Sequence, residues 1–239
     1  MKHIIAACLL TFCAAPVWAQ TVPVPFVGCP ADGQMGPQNA PPPSTTPLLP
    51  RAQAKYLALY AGPYMSVLAP RGWHCAEAYG SSGGWLVVTQ QPIPPDYIIG
   101  KYEITGPAVQ FSVSDGETSG RFEVALMAAR LFPAAHAFVA RIKAENLMPA
   151  SDFVTTPYTG DQITRHGDFE ADFVTPPHQD GLGTDSHLVP GKFPIRGSAL
   201  LVPDGPDLFS LFTLDVRLPP GSEALLAPIA ASAQPPAPE

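Results

Sequence analysis

Residues 208–218 read Leu-Phe-Ser-Leu-Phe-Thr-Leu-Asp-Val-Arg-Leu, and from Phe212 onward apolar and polar side chains alternate without a break. In a β-strand every second side chain lies on the same face, so this stretch has two chemically different faces. It predicts a strand with one face on the core and one wet face. The core face carries Phe212, Leu214, Val216 and Leu218, and the wet face carries Thr213, Asp215 and Arg217.

Strand patterns of this kind stand before and after a central helical region. The helical region has two segments, 119–131 and a second that begins at Pro133, a residue suited to the first turn of a helix. This grouping predicts a single α+β domain with a mostly antiparallel sheet, a central helical pair and a C-terminal helix. The strand patterns cover 66–69, 73–79, 85–89, 109–114, 169–173, 198–202 and 208–218, and further helices are predicted at 52–60 and 222–233.

The ends of the chain differ in composition from this domain. Residues 1–19 carry Lys2, an apolar run and a small residue at Ala19, the pattern of an export signal cut after Ala19. Residues 20–50 contain nine prolines and predict an extended arm on the surface. The globular domain is predicted over 51–233, and 234–239 predict a disordered tail.

Charge and hydropathy exclude several classes of partner. The net charge is -7, and cleavage after Ala19 would remove one lysine and no acid. No basic stripe remains, which argues against nucleic acid as a partner. No apolar run reaches the roughly 20 residues of a transmembrane helix. Motifs for phosphate, dinucleotide, calcium or zinc-protease chemistry are absent, so no cofactor is predicted.

Two of the four cysteines remain after the predicted cleavage, Cys29 and Cys75. An even pair in an exported chain predicts one disulfide, here between the proline-rich arm and the first hairpin. The alternative is a reactive Cys75 thiol activated by His74. Neighbouring side chains on a strand point to opposite faces, which argues against that pairing.

The segment Gly-Ser-Ser-Gly-Gly at 80–84 matches the G-x-S-x-G pattern with Ser82 as a nucleophile. The pattern requires a strand, a sharp turn and a helix, whereas residues 85–89 predict a second strand. A hairpin turn is therefore the favoured interpretation. The catalytic alternative keeps Ser82 with His74 or His166 as its base.

Residues 178–187 are the most ligand-like part of the sequence. His178 and Asp180, then Asp185 and His187, offer nitrogen and oxygen ligands to zinc or a similar ion at a spacing of two. The glycines between them favour a mobile, solvated loop instead. Both interpretations stay open here.

Two further groups of side chains have a structural and a functional reading. Trp73 and Trp85 flank the predicted hairpin and are either core residues or an exposed interaction patch. The sequence spacing of Glu77 and Glu103 does not define a glycosidase-type carboxylate pair, so no such pair is predicted.

The motifs Gly-Cys-Pro-Ala-Asp-Gly-Gln at 28–34 and Leu-Ala-Pro-Arg-Gly-Trp-His-Cys at 68–75 resemble those of a group of uncharacterised exported bacterial proteins. The likeness continues at 80–83 and 180–184. It implies an exported location and a disulfide, and no catalytic residues. A weaker resemblance, to Mog1/PsbP-type domains, rests on a short strand that runs into Pro-x-Gly-Trp and concerns the fold alone.

The sequence therefore predicts a periplasmic or secreted protein that binds another protein or a cell-envelope component without catalysis. The alternative is a secreted hydrolase, using either Ser82 or a metal held by residues 178–187.

Overall fold

The computed structural model describes residues 20–98, 102–205 and 207–233, and it confirms the predicted α+β fold class. The predicted export signal and C-terminal tail lie outside these ranges. The strands are β1 (Thr21–Pro23), β2 (Phe26–Gly28), β3 (Ala31–Gly33), β4 (Leu48–Pro50), β5 (Leu57–Ala61), β6 (Ser66–Pro70), β7 (His74–Gly80), β8 (Gly83–Thr89), β9 (Ala108–Ser114), β10 (Gln162–Arg165), β11 (Glu170–Thr175), β12 (Ile195–Pro203) and β13 (Phe209–Arg217). The α-helices are α1 (Arg51–Ala54), α2 (Arg121–Leu131), α3 (His136–Ala144) and α4 (Leu226–Ser232), and short 3₁₀ helices cover Pro133–Ala135, Leu182–Thr184 and Glu223–Leu225.

Eight of these strands form the main sheet, in the order β10-β11-β12-β13-β9-β8-β7-β3. All neighbours are antiparallel except β3, which runs parallel to β7. This confirms the predicted mostly antiparallel sheet. It also places β13 and β9 side by side at the centre.

One face of the main sheet is covered by a second, three-stranded sheet in the order β2-β5-β6, together with α4. Phe212, Leu214 and Val216 of β13 lie in this core, as their alternation predicts. Helix α4 is fixed to the small sheet by a hydrogen bond from the Leu68 amide to Ser232 Oγ, at 2.8 Å. The apolar face of the sheet is thus closed by its own chain.

The opposite face is covered over part of its area by α2 and α3. Their apolar side chains, including Val124 and Phe138, pack against Ala171, Phe173 and Ala199 of β11 and β12. The predicted central helical pair is therefore confirmed as a layer on this second face.

The helix predicted at 52–60 is only partly present. Helix α1 ends at Ala54, and β5 begins at Leu57. Every residue of β5 is buried, because it lies between β2 and β6 in the small sheet. The apolar residues that favour a helix in isolation instead form a strand that is buried on both faces. Tertiary packing therefore overrides the local helix propensity.

The proline-rich arm is joined to the rest of the chain by strand pairing and by one covalent bond. β2 pairs with β5 and β3 with β7. A disulfide links Cys29 to Cys75 with a Cα–Cα distance of 5.4 Å, which confirms the predicted pairing. For a separation of 46 residues, loop entropy gives such a link about 4 kcal/mol of stabilisation.

Strands β7 and β8 are joined by the predicted hairpin turn at residues 80–84. Gly83 has φ of +128°, a conformation that other residues rarely adopt. A Cβ at this position would also meet the Val113 carbonyl oxygen at 1.9 Å. Glycine is required here for conformation and for space.

Glu77 of β7 is a buried carboxyl beneath the turn that joins β5 to β6. Its oxygens accept hydrogen bonds from the amides of Tyr64, at 3.1 Å, and Met65, at 3.2 Å. Burial raises the pKa of Glu77 to about 7, and these two amides only partly oppose that rise.

A group whose folded pKa exceeds its unfolded value stabilises the fold fully below the unfolded value and loses this effect as pH rises through the folded one. For Glu77 the window runs from the ordinary value of 4.5 to about 7. We expect the free energy of unfolding of the wild type, minus that of Glu77→Gln, to fall by about 3 kcal/mol between pH 4 and pH 8. Urea unfolding of both proteins measures it, and a difference independent of pH would contradict this assignment.

Candidate functional site

The polar face of β13 and β9 forms the floor of a cleft. Cross-strand register places Ser112 beside Thr213 and, in the next row, Gln110 beside Asp215. Larger side chains lie on either side of this floor, Trp85 on β8 and Phe173 on β11. Small polar residues in the middle of the sheet thus leave room above them, and the cleft has a volume of about 710 Å³.

The walls come from three segments that lie over this face. Helix α2 contributes Glu123, Leu126 and Arg130, the loop after α3 contributes Asp152 and Tyr158, and the segment 182–187 contributes Asp185 and His187. The alternation thus correctly predicts that Thr213, Asp215 and Arg217 lie on one face of the strand. Its prediction that this face is exposed to solvent is wrong. Asp215 is 2 % exposed and Arg217 is fully buried.

Asp215 is the least expected group in the cleft. Its neighbours across the sheet are Gly197, which has no side chain, and Gln110. The Gln110 amide is already used, since Nε2 donates to Ser112 Oγ at 2.9 Å and Oε1 accepts from the His187 amide at 3.1 Å. Within the described part of the chain, Asp215 Oδ1 is consequently buried without a hydrogen-bond partner.

The pKa of Asp215 is raised well above its ordinary value. Burial is the main cause, and the nearby Asp185 carboxyl adds to it. Arg217 opposes the rise, but its guanidinium is directed elsewhere. A buried carboxyl with this environment holds its proton to higher pH than an exposed one.

Arg217 fastens the far wall of the cleft to the sheet. Nη1 donates to the carbonyl oxygens of Ile104, at 2.9 Å, and Gly106, at 3.4 Å, and Nη2 donates to that of Val189. The Ile104 backbone in turn pairs with His187 and Val189. One side chain on β13 thereby positions the segment that carries Asp185 and His187.

The segment 182–187 is held in place by hydrogen bonds and close packing. Asp161 accepts from the Leu182 amide, at 2.8 Å, and from the Thr175 hydroxyl, at 2.8 Å. A Cβ at Gly183 would meet Ile195 at 2.6 Å. Gly181, Leu182 and Gly183 are buried, so the glycines that predict a mobile, solvated loop serve close packing instead.

Asp185 lies at the mouth of the cleft with Tyr158. The Tyr158 hydroxyl donates to Asp185 Oδ1 at 2.7 Å. Burial raises the pKa of Asp185 even though the residue reaches solvent, and the hydrogen bond from Tyr158 opposes this. Burial and the Asp185 carboxylate raise the pKa of Tyr158 to about 12, while Arg130, stacked 4.3 Å from its ring centroid, opposes the rise.

His187 and Trp85 form one end of the cleft. Their rings meet edge to face with centroids 4.5 Å apart. Nδ1 of His187 lies 3.0 Å from the Tyr102 carbonyl oxygen. A carbonyl only accepts, so we assign the hydrogen to Nδ1, which leaves Nε2 of the neutral ring as an acceptor.

The structure does not bring Ser82 together with either proposed histidine base. Ser82 lies in the turn after β7 and reaches the rim of the cleft, whereas His74 begins β7 at its other end, about 20 Å away at the rise of a strand. His166 lies in the turn between β10 and β11, at the opposite side of the sheet, where Nε2 pairs with Asp172 Oδ2 at 2.8 Å.

The four residues considered as metal ligands likewise have different surroundings. His178 and Asp180 are exposed, while Asp185 and His187 bond to Tyr158 and Tyr102. Among the described residues, no group of three or more His, Cys, Asp or Glu side chains is placed to hold a metal ion. In the same ranges no helix is long and apolar enough to cross a membrane.

No family model matches this chain, and no curated protein or solved structure is significantly similar to it. The cleft must therefore be interpreted from its own geometry.

Sequence reasoning did not find the polar floor of the cleft or its walls. The signal was present in two strands, where Gln110, Ser112 and Ser114 alternate with apolar residues as Thr213 and Asp215 do. Polar alternation in one strand predicts a solvated face. When two central, adjacent strands beneath helices both alternate in this way, their polar side chains line a cleft. Which strands are adjacent depends on the order of strands in the sheet, and the local pattern does not give that order.

Replacement of Arg217 by methionine should destabilise the protein by about 3–5 kcal/mol, because it removes a buried cation and leaves carbonyls and Asp215 uncompensated. Urea unfolding measures the loss. The control is Arg196→Met, an exposed position on β12, which should change stability by less than about 0.5 kcal/mol. Equal effects of the two substitutions would show that Arg217 does not fasten this wall.

Proposed function

We propose that this chain is an exported, non-catalytic binding protein whose cleft binds a small polar molecule. The observation that carries the proposal is the cleft itself, with a polar floor and a buried carboxyl, Asp215, whose Oδ1 has no hydrogen-bond partner in the described part of the chain. Binding sites are typically preformed concave pockets with a few polar groups that converge on the ligand. The cleft volume falls within the ordinary range for such sites.

Two features support a preformed site. Arg217 and Asp161 hold the far wall through hydrogen bonds to backbone groups. On the near wall, Glu123 of α2 accepts from the Ser114 hydroxyl at 2.8 Å. A site held in its bound shape loses less entropy when a ligand binds.

Export is part of the proposal and rests on two observations. Residues 1–19 have the composition of an export signal. The Cys29–Cys75 disulfide is a bond that persists in oxidising compartments. The ligand is accordingly a molecule of the cell envelope or the surrounding medium.

A hydrolase is the second candidate, and one observation favours it. Asp185 and Asp215 share the cleft, each has a raised pKa, and the Asp185 carboxyl contributes to the rise at Asp215. Such paired carboxyls serve as acid and base in catalysis. This arrangement replaces Ser82 as the basis of the enzymatic alternative, and conversion of a bound ligand would distinguish it from binding alone.

A ligand of the cleft should raise the melting temperature of the wild type and not that of Thr213→Leu, which fills the floor. At a hundred times Kd the stabilisation is about 2.7 kcal/mol, a shift of several degrees. Thermal unfolding against a set of small polar molecules measures it. The control is Thr164→Leu, an exposed position on β10, which should respond as the wild type does.

Ligands that stabilise Thr213→Leu as strongly as the wild type would place binding elsewhere. A complete absence of stabilising ligands would contradict the proposed function.

A further inference from the structure

Resting on the proposed function, we infer that the cleft takes an organic cation, an ammonium group carried on a short carbon skeleton, and that the ammonium pairs with Asp215. The inference names a ligand class and the residue that selects it. Three features of the cleft carry it: the balance of charge, the unpaired carboxyl and the aromatic and apolar walls.

The balance of charge in the cleft is negative. Of the described residues that line it, four are carboxyls and one is a permanent cation, Arg130. Arg130 stacks on Tyr158 and donates to the Thr156 carbonyl oxygen at 3.2 Å. Arg217 lies behind the floor and is bonded to backbone carbonyls. The carboxyls are Glu123, Asp152, Asp185 and Asp215.

This balance opposes an anionic ligand. Like charges brought together in a cleft with low-dielectric walls repel strongly, while a cation is attracted and concentrated there. The one cation on the lining is engaged with its own chain. A carboxylate or phosphate would therefore meet four carboxyl side chains and, among the described residues of the lining, one arginine, whose guanidinium already stacks on Tyr158 and donates to the Thr156 carbonyl oxygen.

Asp215 supplies a partner for the ammonium. The side chain lines the cleft, is almost fully buried and has an Oδ1 without a hydrogen-bond partner among the described residues. A buried carboxyl left unpaired is costly, and a charge-assisted hydrogen bond from a ligand removes that cost. The cross-strand neighbours do not supply this bond, because Gly197 has no side chain and the Gln110 amide bonds to Ser112 and to the His187 amide. We expect the ammonium of the ligand to supply it.

The walls of the cleft suit an organic cation better than a bare metal ion. Trp85 and Tyr158 provide aromatic surface, to which ammonium groups are attracted through the ring quadrupole. Leu126 and Met127 of α2 provide apolar surface for carbon atoms. The described residues contain no cluster of three metal-ligating side chains.

Binding should strengthen as pH rises through the titration of Asp215. The carboxyl holds a proton at low pH, and an ammonium pairs with the ionised form, so binding releases that proton. The charged groups that act on Asp215 are Arg217 on its own strand and Asp185 on the far wall. The other titratable or charged groups that line the cleft are His187 on the far wall, Glu123 and Arg130 on α2, and Asp152 and Tyr158 on the loop after α3, while the adjacent strands present Gln110 and Gly197.

Matched probes test the ligand class. Ethanolamine and ethylene glycol differ by the replacement of an ammonium with a hydroxyl, and so do glucosamine and glucose. Calorimetric or NMR titration of the exported protein should show each cation binding at least tenfold tighter than its neutral partner. Asp215→Asn should weaken the cations at least tenfold and leave the neutral probes unchanged. The control is Asp168→Asn, an exposed acid in the β10–β11 turn, which should behave as the wild type.

The results that overturn the inference are distinct from those that overturn the proposed function. Neutral probes that bind as tightly as the cations, with binding lost in Thr213→Leu, would overturn the cation inference and leave the binding function standing. Cations that bind Asp215→Asn as well as the wild type would overturn the role of Asp215. Failure of every probe to bind would overturn the cation inference, and the thermal test with other polar molecules then decides the function separately.

Discussion

The bonds from the Arg217 guanidinium to the carbonyl oxygens of Ile104, Gly106 and Val189 join the central strand of the sheet to the segments that close its polar face. A buried arginine is expensive to desolvate, and hydrogen bonds from its donors offset that cost. Nη1 and Nη2 of Arg217 make such bonds, whereas Nε has no partner among the described residues. Here the donors bind backbone that must be held in one place, because the same backbone carries His187. The shape of the cleft depends on this contact.

The two faces of the main sheet differ in their chemistry. One face is closed by a small sheet and α4 and forms an apolar core. The other is apolar beneath α2 and α3 and polar towards β9, where serine, threonine, glutamine and aspartate side chains form a floor. The apolar core and the cleft thus lie on opposite sides of the same strands. Asp215 is energetically costly, since the fold buries its carboxyl and Oδ1 has no hydrogen-bond partner among the described residues.

Local patterns predicted much of this fold. Alternation in β9 and β13 and the glycine-rich turn before β8 depend on residues close in sequence, and the structure confirms them. The disulfide, across 46 residues, followed from the even number of cysteines left after the predicted cleavage, and it is confirmed too. The prediction of a helix over 52–60 is only partly correct, because the apolar residues of β5 are buried between β2 and β6 in the small sheet, and a local pattern does not give that order of strands.

The site was harder to predict for the same reason. Gln110 and Asp215 are 105 positions apart and become neighbours only through sheet order. The walls of the cleft come from α2, from the loop at Tyr158 and from the segment of Asp185. Ser82 and the histidines match short sequence motifs, but the structure separates them.

The most direct test of this account is the titration of the Asp215 carboxyl carbon by NMR in the ligand-free protein. Asp215 should titrate well above the ordinary value of 3.8, because it is buried, lies close to Asp185 and has no hydrogen-bond partner at Oδ1 among the described residues. Titration at or below that value would show a carboxylate already stabilised within the protein, and it would contradict a cleft built around an unpaired acid.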